Sequence, residues 1–286
     1  MKYQEKVESA QSKAQVEFDS CVGDILDSTK EQQEEDCLDE GTHDPEQFMA
    51  LDPEDHFSDD RLDNKSKDSF FKKIELVSLD YLSSETRKLD QDQRRVVDIG
   101  ISYAQNLRKS SLKESVQPKP PLVVVHGGAG CGKSFVINLM TQWQERILRT
   151  SGDDPNQPYI LKCAFTGKAA SIIEGQTLHH AFSFSFGNEF FSSNDKTRDK
   201  RRRSLKNLKI LVIDEFSMVK ADMLYQLDLR LKELKENYDV PFGGVAIFLF
   251  GDLLQLRPTA ARFIFDEPSN EQFQISHALD SLWDKF

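Results

Sequence analysis

The chain has 286 residues, 38% of them hydrophobic with 20 Phe, enough to fill at least one sizeable core, which excludes wholesale disorder. The N-terminal MKYQEKVESA lacks the apolar stretch of a secretion signal, and the longest apolar runs, such as Val245 to Phe250, fall far short of the ~20 residues a membrane helix requires. Four Cys at 21, 37, 131 and 163 show neither metal-ligand nor CxxC spacing, and the net charge of -11, taken over the whole chain, argues against a nucleic-acid partner.

That charge is unevenly placed. Residues 1–68 carry 21 acidic and 7 basic side chains, a net of -14, and the remaining 27 acidic and 30 basic side chains leave 69–286 at +3. The first segment is rich in Glu, Asp, Gln and Ser and cannot bury enough apolar area to offset chain entropy, so it is predicted to be mostly disordered. A solvated tail and an acidic docking segment both stand as readings of it.

A helical pattern begins at Leu89-Asp-Gln-Asp-Gln93, with Val96, Val97, Ile101, Ala104 and Leu107 at helical spacing. Asp90 is the expected N-cap and Gln93 its capping-box partner. Lys109 to Pro121 reads as a linker, and Leu122 to Val125 as a short buried strand. Beyond it, strand-like and helix-like runs alternate: helix 135–147, strand 159–164, helix 168–173, strand 210–213, helix 219–234 and strand 245–250. Apolar strands separated by amphipathic helices predict an α/β fold, an open and mainly parallel sheet covered on both faces.

Between the first strand and the helix that follows lies Gly127-Gly128-Ala129-Gly130-Cys131-Gly132-Lys133-Ser134, which fits G-x-x-x-x-G-K-[ST] in the required strand–loop–helix context. Glycines allow a concave nest of N–H groups, and the helix N-terminus adds partial positive charge, so the loop is expected to bind the phosphates of ATP. Lys133 would neutralise the β and γ phosphates and Ser134 would ligate Mg²⁺. Ile210 to Ile213 runs into Asp214-Glu215, and a parallel sheet is expected to set that end beside the phosphate loop. There Asp214 would hold the metal and Glu215 would orient and deprotonate the attacking water. Kinases, other ATPases and helicases share these two elements.

The remaining segments resemble the petite-integration-frequency (PIF-type) DNA helicases of superfamily 1, relatives of RecD, including versions carried by Helitron-like elements. Leu89 to Gln93 resembles that family's Q motif, Gly127 to Ser134 its motif I, and Thr166-Gly167-Lys-Ala-Ala170 with Gly175-Gln-Thr177-Leu-His179 its motif Ia. Asp214 to Met218 is similar to motif II, Gly251-Asp-Leu-Leu-Gln255-Leu-Arg-Pro258 to motif III, and Pro241-Phe-Gly-Gly244 is also a family habit. The resemblance covers about 89–286 and implies a RecA-like P-loop motor that hydrolyses ATP and translocates on single-stranded DNA. It also implies nuclear location, with a mitochondrial form as an alternative, and work in DNA repair, recombination and telomere maintenance; protein partners are left unknown.

The resemblance assigns roles by position. Gln93 would read the adenine edge, against its simpler role in the capping box. Gln255 would sense the γ-phosphate, against an ordinary polar residue at a strand end. Thr166, Gly167, Thr177 and His179 occupy positions where the family touches DNA, although a lone His is as often a core hydrogen-bonder. Lys196 to Lys209 holds eight basic residues, and Phe182, Phe184 and Phe186 alternate with Ser. DNA contact competes with a solvated loop or a nuclear localisation signal in the first case, and with a half-buried strand in the second.

The family continues past motif III to arginine-bearing motifs on a second motor domain, worth ~10³ to 10⁵ in turnover, and this sequence shows none of them before Phe286. The expected organisation is therefore an acidic segment, 1–68, and a first motor domain, 69–286, with the second domain absent. Such a polypeptide would bind Mg·ATP, hydrolyse it poorly and not unwind DNA alone. A truncated, transposon-derived ATP-binding module is the alternative, and a P-loop kinase is a third reading, for which no acceptor pocket or lid arginines are identifiable.

Overall fold

The strands run as continuous apolar segments because both faces of the sheet are covered. In the computed structural model, which describes residues 75–113, 116–154, 156–184, 195–255 and 262–286, the elements follow the predicted alternation. In chain order they are α1 (Leu79–Arg87), α2 (Gln91–Lys113), β1 (Leu122–His126), α3 (Lys133–Leu148), β2 (Ile160–Ala164), α4 (Gly167–Ile172) and β3 (Gln176–Thr177). There follow α5 (Leu178–Phe182), α6 (Asp195–Ser204), β4 (Ile210–Asp214), α7 (Ala221–Lys235), β5 (Ala246–Gly251) and α8 (Glu271–Leu279), with short 3₁₀ turns at Phe216–Met218, Pro241–Gly244 and Trp283–Lys285. The acidic segment 1–68 lies outside the described residues.

Among the described residues the sheet is wholly parallel, in the order β1-β5-β4-β2-β3. Strand residues divide between two cores with period two. Ala246, Phe248 and Phe250 of β5 and Ile210 and Val212 of β4 pack with Val97, Ile101, Ala104 and Leu107 of α2 and Val136, Ile137 and Met140 of α3. Ile247, Leu249, Leu211 and Ile213 face the other way, into Leu224, Leu227, Leu231 and Leu234 of α7. The α/β expectation holds, and the residues from 75 onward fall in one compact unit.

Several expectations are corrected. The stretch read as a linker from Lys109 is helical to Lys113, with Ser110 buried and its hydroxyl donating to Leu107 O. The helix predicted from 219 begins at Ala221, after a 3₁₀ turn. Helix α1 was not anticipated; Ser78 caps it by accepting from Tyr81 N, and Trp143 Nε1 of α3 donates to Thr86 Oγ1 to clasp it in place. Phe182 and Phe184 are not in a strand: Phe182 closes α5, Ser183 turns the chain at φ 49°, and both rings are buried, stacked on each other at 5.9 Å. Buried rings do not stack on bases, and Phe186 lies outside the described residues. The basic stretch from Lys196 is α6 followed by a short turn rather than a loop, with Arg201 buried and Arg202 paired with Glu236 at 2.9 Å.

Candidate active site

The parallel order brings the carboxyl ends of all five strands to one edge. β5 runs between β1 and β4, so Asp214 ends a strand that is not paired with β1, with the charge of Lys133 still near its carboxyl. The interposed strand end is Gly251-Asp252, the start of the segment read as motif III, and Gly127 N donates to Gly251 O at 3.1 Å. Phosphate loop, motif III and acidic turn thus follow one another across half the edge. Thr166 and Thr177 occupy the other half, at the ends of β2 and β3, where Ala164 pairs with both Asp214 and Thr177.

The loop's shape comes from backbone geometry. Gly130 and Gly132 adopt φ 76° and 81°, in the left-handed region that side chains resist. Gly128, Ala129, Gly130 and Cys131 are exposed, and a Cβ at Gly128 or Gly130 would meet only open space. Gly132 caps α3 without any side-chain hydrogen bond, so the first N–H groups of a 16-residue helix are left for a ligand. Ser134 stands in that first turn. Lys133 Nζ donates to Gly127 O at 2.7 Å and Gly128 O at 2.8 Å, which holds the ammonium inside the curve of the loop.

Gln93 closes the capping box, one of the two roles the sequence left open, and also bonds the phosphate loop. Asp90 N donates to its Oε1 at 3.2 Å while Gln93 N donates to Asp90 Oδ1 at 2.8 Å, which closes the capping box. Its Nε2 meanwhile donates to Cys131 O at 3.1 Å, tying the start of α2 to the phosphate loop.

Asp214 is 6% exposed. Burial raises its carboxyl pKa above the ordinary carboxylate value, against the backbone N–H of Glu215 and the nearby charge of Lys133, which favour ionisation. Its Oδ1 accepts from Glu215 N at 3.0 Å. Glu215 has φ 58°, an uncommon conformation for a non-glycine residue and typical of functional sites. Phe216, fully buried, anchors the turn: its ring abuts Gly251, where an added Cβ would lie 2.8 Å from Cδ1, and it stacks on Trp283 at 6.2 Å. One buried carboxylate and one hydroxyl fit Mg²⁺, which takes few protein ligands and completes its octahedron with phosphate oxygens and water. Among the described residues no cluster of three or more His, Cys, Asp or Glu side chains offers an all-protein metal cage.

Gln255 is exposed just beyond β5, its N–H bonded to Asp252 O at 3.1 Å, and 256–261 lie outside the described residues. Thr166 and Thr177 are N-caps, accepting from Ala169 N and His180 N at 3.2 Å, and Gly167 opens α4. His179 is half-buried, edge-on to Phe165 at 5.7 Å and Phe184 at 6.3 Å, and burial, then Lys220, lowers its pKa. Two residues went unassigned from sequence. His126 ends β1 directly before the loop and faces Asp252; a polar residue closing an apolar strand was the available signal. Phe216 fell within the segment likened to motif II but was given no role, since its packing depends on residues distant in the chain.

No described helix is long and apolar enough to cross a membrane. Among curated relatives, the ATP-dependent DNA helicase RRM3 of Saccharomyces cerevisiae is 33% identical over 177 residues, covering 61% of this chain and 21% of the relative. The human ATP-dependent DNA helicase PIF1 is 33% identical over 165 residues, covering 55% and 24%. The chain therefore spans less than a quarter of the length of either relative. The crystal structure of the Pif1 helicase from Candida albicans aligns at a TM-score of 0.45 with 27% identity, covering 63% of this chain and 36% of that one. A family profile described as PIF1-like helicase matches residues 101–286, well over half of the sequence and including the phosphate loop and the acidic turn. The chain belongs to the PIF1-like helicase family.

Proposed function

We propose that this chain supplies the nucleotide-handling part of an ATP-dependent DNA helicase, which couples ATP hydrolysis to movement along single-stranded DNA and to unwinding. The observation that carries the reading is the order along the sheet edge: phosphate loop, motif III turn and acidic turn are contiguous, with the two threonine caps beyond them. Residues from about 69 onward would form the first of two motor domains.

In this reading the N–H groups of Gly128 to Ser134 and the uncapped end of α3 bind the phosphates, and Lys133 exchanges its carbonyl partners for the β and γ oxygens. Gln93, already joined to Cys131, closes the base side of the loop. Magnesium, held by Ser134 and Asp214, would offset charge developing between the β and γ phosphates. Glu215, held in place by Phe216, orients the water and takes its proton, and Gln255 relates the γ-phosphate to the DNA-facing half of the edge. Thr166, Gly167, Thr177 and His179 would line that half. The two threonine hydroxyls accept from their own helices and keep a proton to donate to a DNA phosphate.

Nucleotide titration and ATP turnover with and without single-stranded DNA test the reading. Purified protein should bind Mg·ATP, and any DNA-stimulated turnover should disappear in Glu215→Gln while ATP binding persists. Failure to bind ATP, or turnover that survives Glu215→Gln, would contradict it.

A further inference from the structure

The side chain of His126 is 5% exposed, and neither ring nitrogen has a hydrogen-bond partner. A buried polar group left this way carries a cost that one hydrogen bond would remove. Its Nδ1 lies 3.8 Å from Asp252 Oδ1, within ion-pair reach and less than ~1 Å beyond hydrogen-bonding distance.

Asp252 is itself committed to the motif III turn: its Oδ1 accepts from Leu254 N at 2.9 Å and its main-chain oxygen from Gln255 N at 3.1 Å. His126 is joined by a single peptide bond to Gly127, whose N–H bonds to Gly251 O and whose carbonyl receives the Lys133 ammonium. A shift of the loop as Lys133 turns to a γ-phosphate therefore moves His126, and a shift of Asp252 moves Gln255.

Resting on the ATP-binding reading above, we infer that His126 is a positioning residue that links the phosphate loop to motif III, its imidazole closing on Asp252 when a nucleoside triphosphate, rather than a diphosphate, is bound. The bond then contributes to triphosphate affinity and not to diphosphate affinity, so it sets the preference between them.

The test measures that preference by competing a non-hydrolysable ATP analogue and ADP, each with Mg²⁺, against a fluorescent ADP derivative. It compares the 286-residue chain with His126→Leu, His126→Asn, Asp252→Ala and the His126→Leu/Asp252→Ala double variant, each checked for a cooperative melt. In His126→Leu and Asp252→Ala the analogue-over-ADP preference should fall about tenfold, the scale of one hydrogen bond to a charged group. The double variant should fall no further, and His126→Asn, whose amide nitrogen can stand where Nδ1 stands, should restore most of it. Equal weakening of both nucleotides, additive losses in the double variant, or no rescue by Asn would overturn the inference. If His126→Leu does not fold, an unchanged preference in Asp252→Ala overturns it alone. Absence of nucleotide binding in the unaltered chain would overturn the ATP reading itself, and this inference with it.

Discussion

The phosphate loop and the acidic turn meet at one sheet edge yet are held by opposite means. The loop exposes Gly128 to Cys131 and owes its curve to backbone angles at Gly130 and Gly132 and to a lysine that bonds carbonyls within the same eight residues. The acidic turn is buried: Asp214 is 6% exposed, Phe216 0%, and the Phe216–Trp283 stack continues to Phe265 and Phe286. The difference follows from chemistry. A loop that binds phosphate must offer bare N–H groups to the ligand, whereas carboxylates that place a metal and a water gain from rigid, partly desolvated surroundings.

The contrast can be broken experimentally, beginning with the largest expected effect. Phe216→Ala should cost about 3–5 kcal/mol by leaving a cavity beneath the acidic turn, lowering Tm on the order of 10 °C. A melt within about 2 °C of the unaltered chain would show that packing does not hold the turn. Lys133→Ala should do the reverse. Mg·ATP affinity by titration calorimetry should fall ~100-fold, near 2.7 kcal/mol, while Tm moves little, since two lost hydrogen bonds are offset by removing a cation from a helix N-terminus. A large drop in Tm would mean that the loop too is structural.

Gly132→Ala should destabilise by about 1–2 kcal/mol, because φ 81° disfavours a Cβ, which would also lie 2.7 Å from Gln93 Nε2. Adding Gln93→Ala should recover only the part due to contact, and full recovery would show that the backbone angle is not the constraint. The smallest effect has the opposite sign. Because burial raises the Asp214 pKa, the folded chain holds that proton to higher pH than the unfolded chain, and the ionised carboxylate costs stability above the raised value. Asp214→Asn should therefore stabilise on the order of 1 kcal/mol at neutral pH while abolishing turnover. The gain should shrink as pH falls through the raised value towards the ordinary 3.8, as followed by Tm against pH for both proteins. A gain independent of pH would remove burial of charge as its cause.

What could be read from sequence alone was whatever depends on near neighbours in the chain. Gly130, Gly132, Lys133 and Ser134 specify the loop because left-handed backbone requires glycine and the helix starts at once. The Asp90–Gln93 capping box and the apolar strands were legible for the same reason, since a cap spans three residues and a strand buried on both faces is apolar throughout. Tertiary structure decided the rest. The insertion of β5 between β1 and β4 placed Gly251 and Asp252 between the strand ends that carry the loop and Asp214. It set His126 before Asp252 and Phe216 over Gly251, and it gave Gln93 its second partner 38 residues away. Strand order and aromatic burial are settled by the total apolar area covered when distant segments pack, a quantity no local stretch of sequence contains.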